Sequence, residues 1–138
     1  MKSPFHIARR LWFRMAEHRS RQRFHRSLRR LHGPTGPVPQ GQVLAIVLVR
    51  NGAYYLDSFF RTYRAMGIKH FAFIDNGSTD GTIERIMAEP DTRLDQCALP
   101  LAQYEDLLRQ HPANAYAQDR WCFYIDMDEV IDVPGLAE

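Results

Sequence analysis

The residues best suited to chemistry are Asp126, Asp128 and Glu129, three carboxylates within four positions at the end of the apolar run 121–125. In an extended segment Asp126 and Asp128, two positions apart, project to the same side, while Met127 turns back into the interior. Two such carboxylates repel each other. A hard divalent cation, Mn²⁺ or Mg²⁺, relieves that repulsion and keeps coordination positions open for water or phosphate oxygens. The same short pattern also describes an acidic strand exit that is merely solvated. A second cluster is Asp75-Asn76-Gly77-Ser78-Thr79-Asp80, which follows an apolar run and precedes a helical one. A carboxylate there can accept hydrogen bonds from a base or a ribose, with Ser78 or Thr79 capping the helix. An Asx-rich turn with a helix cap is the plainer reading of the same residues. The third is Arg50-Asn51, where Arg50 can approach a phosphate or simply be solvated.

The elements that must hold these clusters alternate. The β-branched run 43–49 reads as a strand buried on both faces, followed by helix 53–66 with Gly67 placed to end it. Segments 69–74, 93–97 and 121–125 read as further strands. Helices are expected at 82–87, at 104–109 and within 111–119. This order predicts a doubly wound, mostly parallel α/β sheet over residues 43–138. Ligands of such sheets bind beyond the carboxyl ends of the strands, where all three clusters fall.

Charge divides the chain differently. Residues 1–32 hold ten Lys/Arg against Glu17 alone, and the remainder holds eight against fifteen acids. Phe5, Ala8, Leu11, Trp12 and Met15 recur at helical spacing among the arginines, which predicts a basic amphipathic arm. Such an arm suits an anionic membrane surface; packing on the domain, nucleic-acid binding and a transit-peptide role are the other readings. Residues 33–42, with three prolines and three glycines, read as a linker, so folding is expected to begin near Gln42. Two cysteines, Cys97 and Cys122, make neither a disulfide framework nor a zinc site, and no apolar run is long enough to cross a bilayer. A cytoplasmic protein, peripheral on the inner face of a membrane, is the expectation.

Taken together, Val49-Arg50-Asn51-Gly52, Tyr55-Leu56-Asp57-Ser58-Phe59-Phe60-Arg61-Thr62-Tyr63, Gly67-Ile68-Lys69-His70-Phe71, Asp75-Asn76-Gly77-Ser78-Thr79-Asp80-Gly81-Thr82 and the stretch 121–129 form an ordered series. The series resembles the GT-A nucleotide-sugar transferases of the large family-two type, over about residues 43–132. The resemblance implies that the Arg50-Asn51 backbone borders a nucleotide and that Asp75 binds base or ribose. Asp80 joins the nucleotide-sugar site, and Asp126 and Asp128 bridge ribose, Mn²⁺ or Mg²⁺, and diphosphate. It further implies inverting transfer of a sugar from a nucleoside diphosphate sugar to a hydroxyl of a glycan, lipid or protein. The general base is expected beyond residue 138. Two positions depart from the pattern: Gly52 replaces the usual Glu and Val130 the usual Phe. A donor-binding remnant without turnover is the alternative. Residues 124–130 also resemble the first motif of haloacid-dehalogenase-like phosphatases, with Asp126 as nucleophile and Asp128 as general acid.

Overall fold

Period-two alternation decides the architecture. In β2 (Leu44–Val49), Ala45, Val47 and Val49 join one apolar cluster and Leu44 and Ile46 another; in β3 (His70–Asp75), Phe71 and Phe73 separate likewise from Ala72 and Ile74. Both strands are therefore covered on both faces, as parallel strands must be. The computed structural model describes residues 4–129, with side chains from residue 8. Its five strands lie in the order β1-β4-β3-β2-β5, with β4 at Thr92–Gln96 and β5 at Cys122–Asp126. Strands β2 to β5 are parallel neighbours, and β1 (Arg29–His32) runs antiparallel along β4.

Helices cover both faces. On one, α2 (Leu56–Ala65) lays Phe59, Phe60 and Tyr63 over Phe71 and Phe73, and α3 (Thr82–Met87) contributes Ile86. On the other lie α4 (Leu101–Tyr116), through Tyr104 and Leu108, and the end of α1 (Pro4–Ser27), through Phe24. No helix among the described residues is long and apolar enough to cross a membrane.

Two expectations change, and one feature is new. The break between helices 104–109 and 111–119 is absent, because α4 runs through Pro112. Proline costs that helix one backbone hydrogen bond, but Pro112 and Leu108 are both buried, and burial of this face outweighs the local penalty. The folded unit also begins well before Gln42: Phe24 is buried, β1 joins the sheet, and Val38 of the supposed linker is buried with its N–H donating to the Tyr116 carbonyl at 2.8 Å. Gly33, with φ of 93°, is required there, since a Cβ would lie 2.2 Å from the Thr92 carbonyl oxygen. Finally, the sheet holds a polar interior. The buried Asp95 carboxylate accepts from the Tyr116 hydroxyl at 2.7 Å and meets His111 Nε2 at 3.0 Å, while Arg93 lies 5.4 Å from the Tyr116 ring centroid. Burial, then the bond to Asp95, push the Tyr116 hydroxyl well above its ordinary pKa.

Candidate functional site

Successive crossovers run from β2 outward through β3 to β4, then return over the opposite face by α4 to β5, which pairs with the other side of β2. The crossover that leaves β2 and the one that reaches β5 therefore lie on opposite faces, and beside the carboxyl ends of such a pair open α/β sheets form a ligand crevice. Register sets Leu48 opposite Asp126 and Val49 opposite Asp75, so the segments after β2, β3 and β5 begin at one level.

Segments 50–53 and 76–82 are sewn together there. Asn51 N–H donates to Ser78 Oγ at 2.8 Å, and Asn51 Oδ1 accepts the Thr79 N–H at 2.8 Å. Gly52 N–H donates to Thr82 Oγ1 at 2.9 Å and Ala53 N–H to Asp80 Oδ2 at 3.1 Å. Asn76 Nδ2 donates to the carbonyls of Cys97 and Leu99, in the segment that follows β4, each at 2.8 Å. Gly52 is packed so closely that a Cβ would stand 2.7 Å from Val49 Cγ2 and 3.3 Å from Met127 Cγ. The glutamate usual in the resembling series has no room at this position without a shift of the Val49 or Met127 side chain.

The two acids of this stretch are both engaged by nearby donors. Asp75 is fully buried, and its carboxylate accepts the N–H groups of Gly77 at 3.0 Å and Ser78 at 3.1 Å and the Gln96 side-chain amide at 3.0 Å. The expected direct contact of Asp75 with a nucleoside thus meets a carboxylate already engaged by three donors. Asp80 is exposed but bonded to Thr82 and to the Ala53 N–H. The Thr82 hydroxyl, first among these contacts, lowers its pKa.

Asp126 and Asp128 differ. Met127 and Asp128 form a turn closed by the Glu129 N–H on the Asp126 carbonyl at 3.1 Å, rather than the extended segment expected. The Tyr63 hydroxyl holds the Glu129 carbonyl at 3.0 Å, and Met127 packs on the core as anticipated. The Asp126 side chain is 48% exposed, with Oδ1 3.2 Å from Arg109 Nη2. Arg109 is held in turn by Glu105, Nε to Oε1 at 3.0 Å. The Asp128 carboxylate is exposed and accepts no hydrogen bond from the described residues.

Two adjoining recesses share Leu48, Val49, Arg50 and Asp126. The larger, about 590 Å³, is lined further by Asn76, Gly77, Leu99 and Arg109; the smaller, about 280 Å³, by Asn51, Tyr55, Met127 and Asp128. The cleft therefore brings together Arg50, Asn51, Asp126 and Asp128, and neither Asp75 nor Asp80 lines it. Sequence reasoning missed Arg109, whose one local signal was a Glu105 four positions earlier, and missed that Asn76 braces the cleft floor. Among the described residues no group of three or more His, Cys, Asp or Glu is placed to hold a metal ion. A cation here would rest on two carboxylates and on oxygens of its ligand, which suits Mg²⁺ or Mn²⁺ better than a zinc cage. Comparison with protein-family models, with curated proteins and with solved structures returned no match.

Proposed function

We propose that the cleft binds a nucleoside diphosphate sugar and belongs to a metal-dependent glycosyltransferase of GT-A type. The observation that carries this reading is the meeting of Arg50 and Asn51, from the end of β2, with Asp126 and Asp128, from the end of β5, in one recess at the divergence of the crossovers. Arg50 is exposed and its guanidinium has no partner among the described residues, so it is available to a diphosphate. Asp126 and Asp128 would hold Mn²⁺ or Mg²⁺, which would supply Lewis-acid stabilisation of the leaving diphosphate. Asp75 serves as a positioning residue, fixing the turn that carries Ser78 and Thr79 against Asn51. Arg109 neutralises Asp126 in the ligand-free cleft; a diphosphate seated between Arg50 and Arg109 competes for that guanidinium and frees Asp126 Oδ1. Among the described residues the carboxylates lining the cleft are Asp126 and Asp128, and no imidazole lines it, so the role assigned to these residues is donor binding.

The phosphatase-like reading is the weaker one. Its chemistry calls for a lysine beside Asp126, and among the described residues the lysine is Lys69. Lys69 precedes β3, at the amino end of the parallel strands, with His70 opposite Leu44 while Asp126 lies opposite Leu48.

Calorimetry with UDP and GDP, with and without Mn²⁺, tests the proposal. Wild type is expected to bind at least one of them more tightly with metal, and Asp128→Asn to lose that increment. Affinities for both nucleotides that ignore metal in both proteins would overturn it.

A further inference from the structure

α1 has two halves of different character. Its last turn is anchored, with Phe24 buried against Leu108 and Tyr104 of α4, whereas residues 8–15 are all exposed. Over that projecting stretch Leu11, Trp12 and Met15 are 55%, 65% and 55% exposed. With Ala8 they fall within an arc of about 100° on the helix, the width of an apolar stripe that ordinarily faces a core. Phe5, also expected on this stripe, lies outside the described side chains. Phe13 stands off it, 52% exposed, with the Arg9 guanidinium 5.6 Å from its ring centroid.

Charge surrounds the stripe. Residues 8–27 carry seven arginines against Glu17, which is itself paired with Arg21 at 2.9 Å. Arg9 and Arg14 flank the stripe, Arg10 lies on the far side, and one to three turns further on the stripe's side of the helix carries Arg19, Arg23 and Arg26. An apolar patch continued by guanidinium groups matches the boundary between acyl chains and anionic headgroups, where Trp is also favoured. Nucleic acid would satisfy the arginines but leave Leu11 and Met15 in water.

We propose that the projecting half of α1 is a docking surface for an anionic lipid bilayer, into which Leu11, Trp12 and Met15 insert while the arginines hold headgroups. The proposal is independent of what the cleft binds. It also replaces the expectation of a detachable arm: deletion of residues 1–40 would remove β1 and Phe24, so substitutions in the exposed half are the appropriate probes.

The test is cosedimentation of the full chain with phosphatidylcholine vesicles, with and without phosphatidylglycerol, at low and high salt. Binding is expected only to the anionic vesicles and to weaken as salt rises. Leu11→Ser/Trp12→Ser/Met15→Ser should lower it more than tenfold with all charges kept. Arg9→Gln/Arg14→Gln should lower it about fivefold per arginine. The altered side chains are exposed, so both variants should keep the wild-type thermal transition, and a lowered transition would overturn the exposed placement on which the proposal stands. Equal partitioning on neutral and anionic vesicles would overturn the lipid assignment. So would a serine variant that binds like wild type, or single-stranded RNA that binds wild type and serine variant equally and more tightly than vesicles do.

Discussion

Two pairs of aspartates stand at the same end of the sheet, and their surroundings are opposite. Asp75 and Asp80 are engaged by donors of their own and neighbouring loops, while Asp126 is half exposed and Asp128 has no hydrogen-bond partner among the described residues. A carboxylate satisfied by backbone N–H groups stabilises the loop that holds it; one left with open lone pairs can take a ligand. Position at a carboxyl edge is therefore only half of a site's definition. Donors already supplied by the fold decide the other half.

The largest effect that sharpens this contrast concerns stability. Asp75→Asn turns an amide toward donors in a buried position and should cost about 3 kcal/mol of unfolding free energy. Asp128→Asn should fall within about 0.5 kcal/mol of wild type. Urea titration of the two variants measures both, and equal losses would break the distinction.

Asp80 offers an intermediate test, by pH. Its folded pKa lies below the ordinary 3.8, so its contribution is present above that value and lost as pH falls through the lower folded one. Asp80→Ala should be less stable near neutrality and show a shallower loss of stability when urea midpoints are followed from about pH 5 to about pH 3. An acid slope unchanged by the substitution would show that Thr82 and Ala53 do not depend on this carboxylate.

The smallest expected effect on stability belongs to Arg109→Gln, about 0.5 kcal/mol for a partly exposed ion pair. Its effect on ligands has two signs. Mn²⁺ alone, followed by electron paramagnetic resonance, should bind more tightly once Asp126 is released, whereas diphosphate without metal should bind more weakly. Movement of both affinities in one direction would remove Arg109 from its bridging role.

How much of this was legible depended on whether burial or hydrogen bonding made each feature. Strand β2 is apolar throughout, β3 is apolar from Phe71 to Ile74, and α3 spans the predicted 82–87. β4 read weakly because Thr92, Arg93, Asp95 and Gln96 fill it, and its buried Asp95 is satisfied by residues of α4 that no local pattern discloses. β1 was hidden altogether: an edge strand needs backbone pairing, and Arg29 and Arg30 carry an exposed basic pattern instead. For the cleft, strand ends alone gathered Arg50, Asn51, Asp126 and Asp128. The turn at 127–128 and the approach of Arg109 across the sheet arise from tertiary packing, outside the reach of spacing rules.

The order of strands carries a consequence for assembly in time. β2, β3 and β4 are neighbours both in space and along the chain, so the segments joined through Asn51, Ser78 and Thr82 close over short loops. β5 must return past all of them to pair with β2, with Leu44 opposite Cys122, and long loop closures form slowly. The wall of the cleft should then be built before its carboxylates arrive. Pulse-labelled hydrogen exchange during refolding should show amides of β3 protected ahead of those of β5, so that the chain passes through a state with one wall of the cleft and no acid to close it.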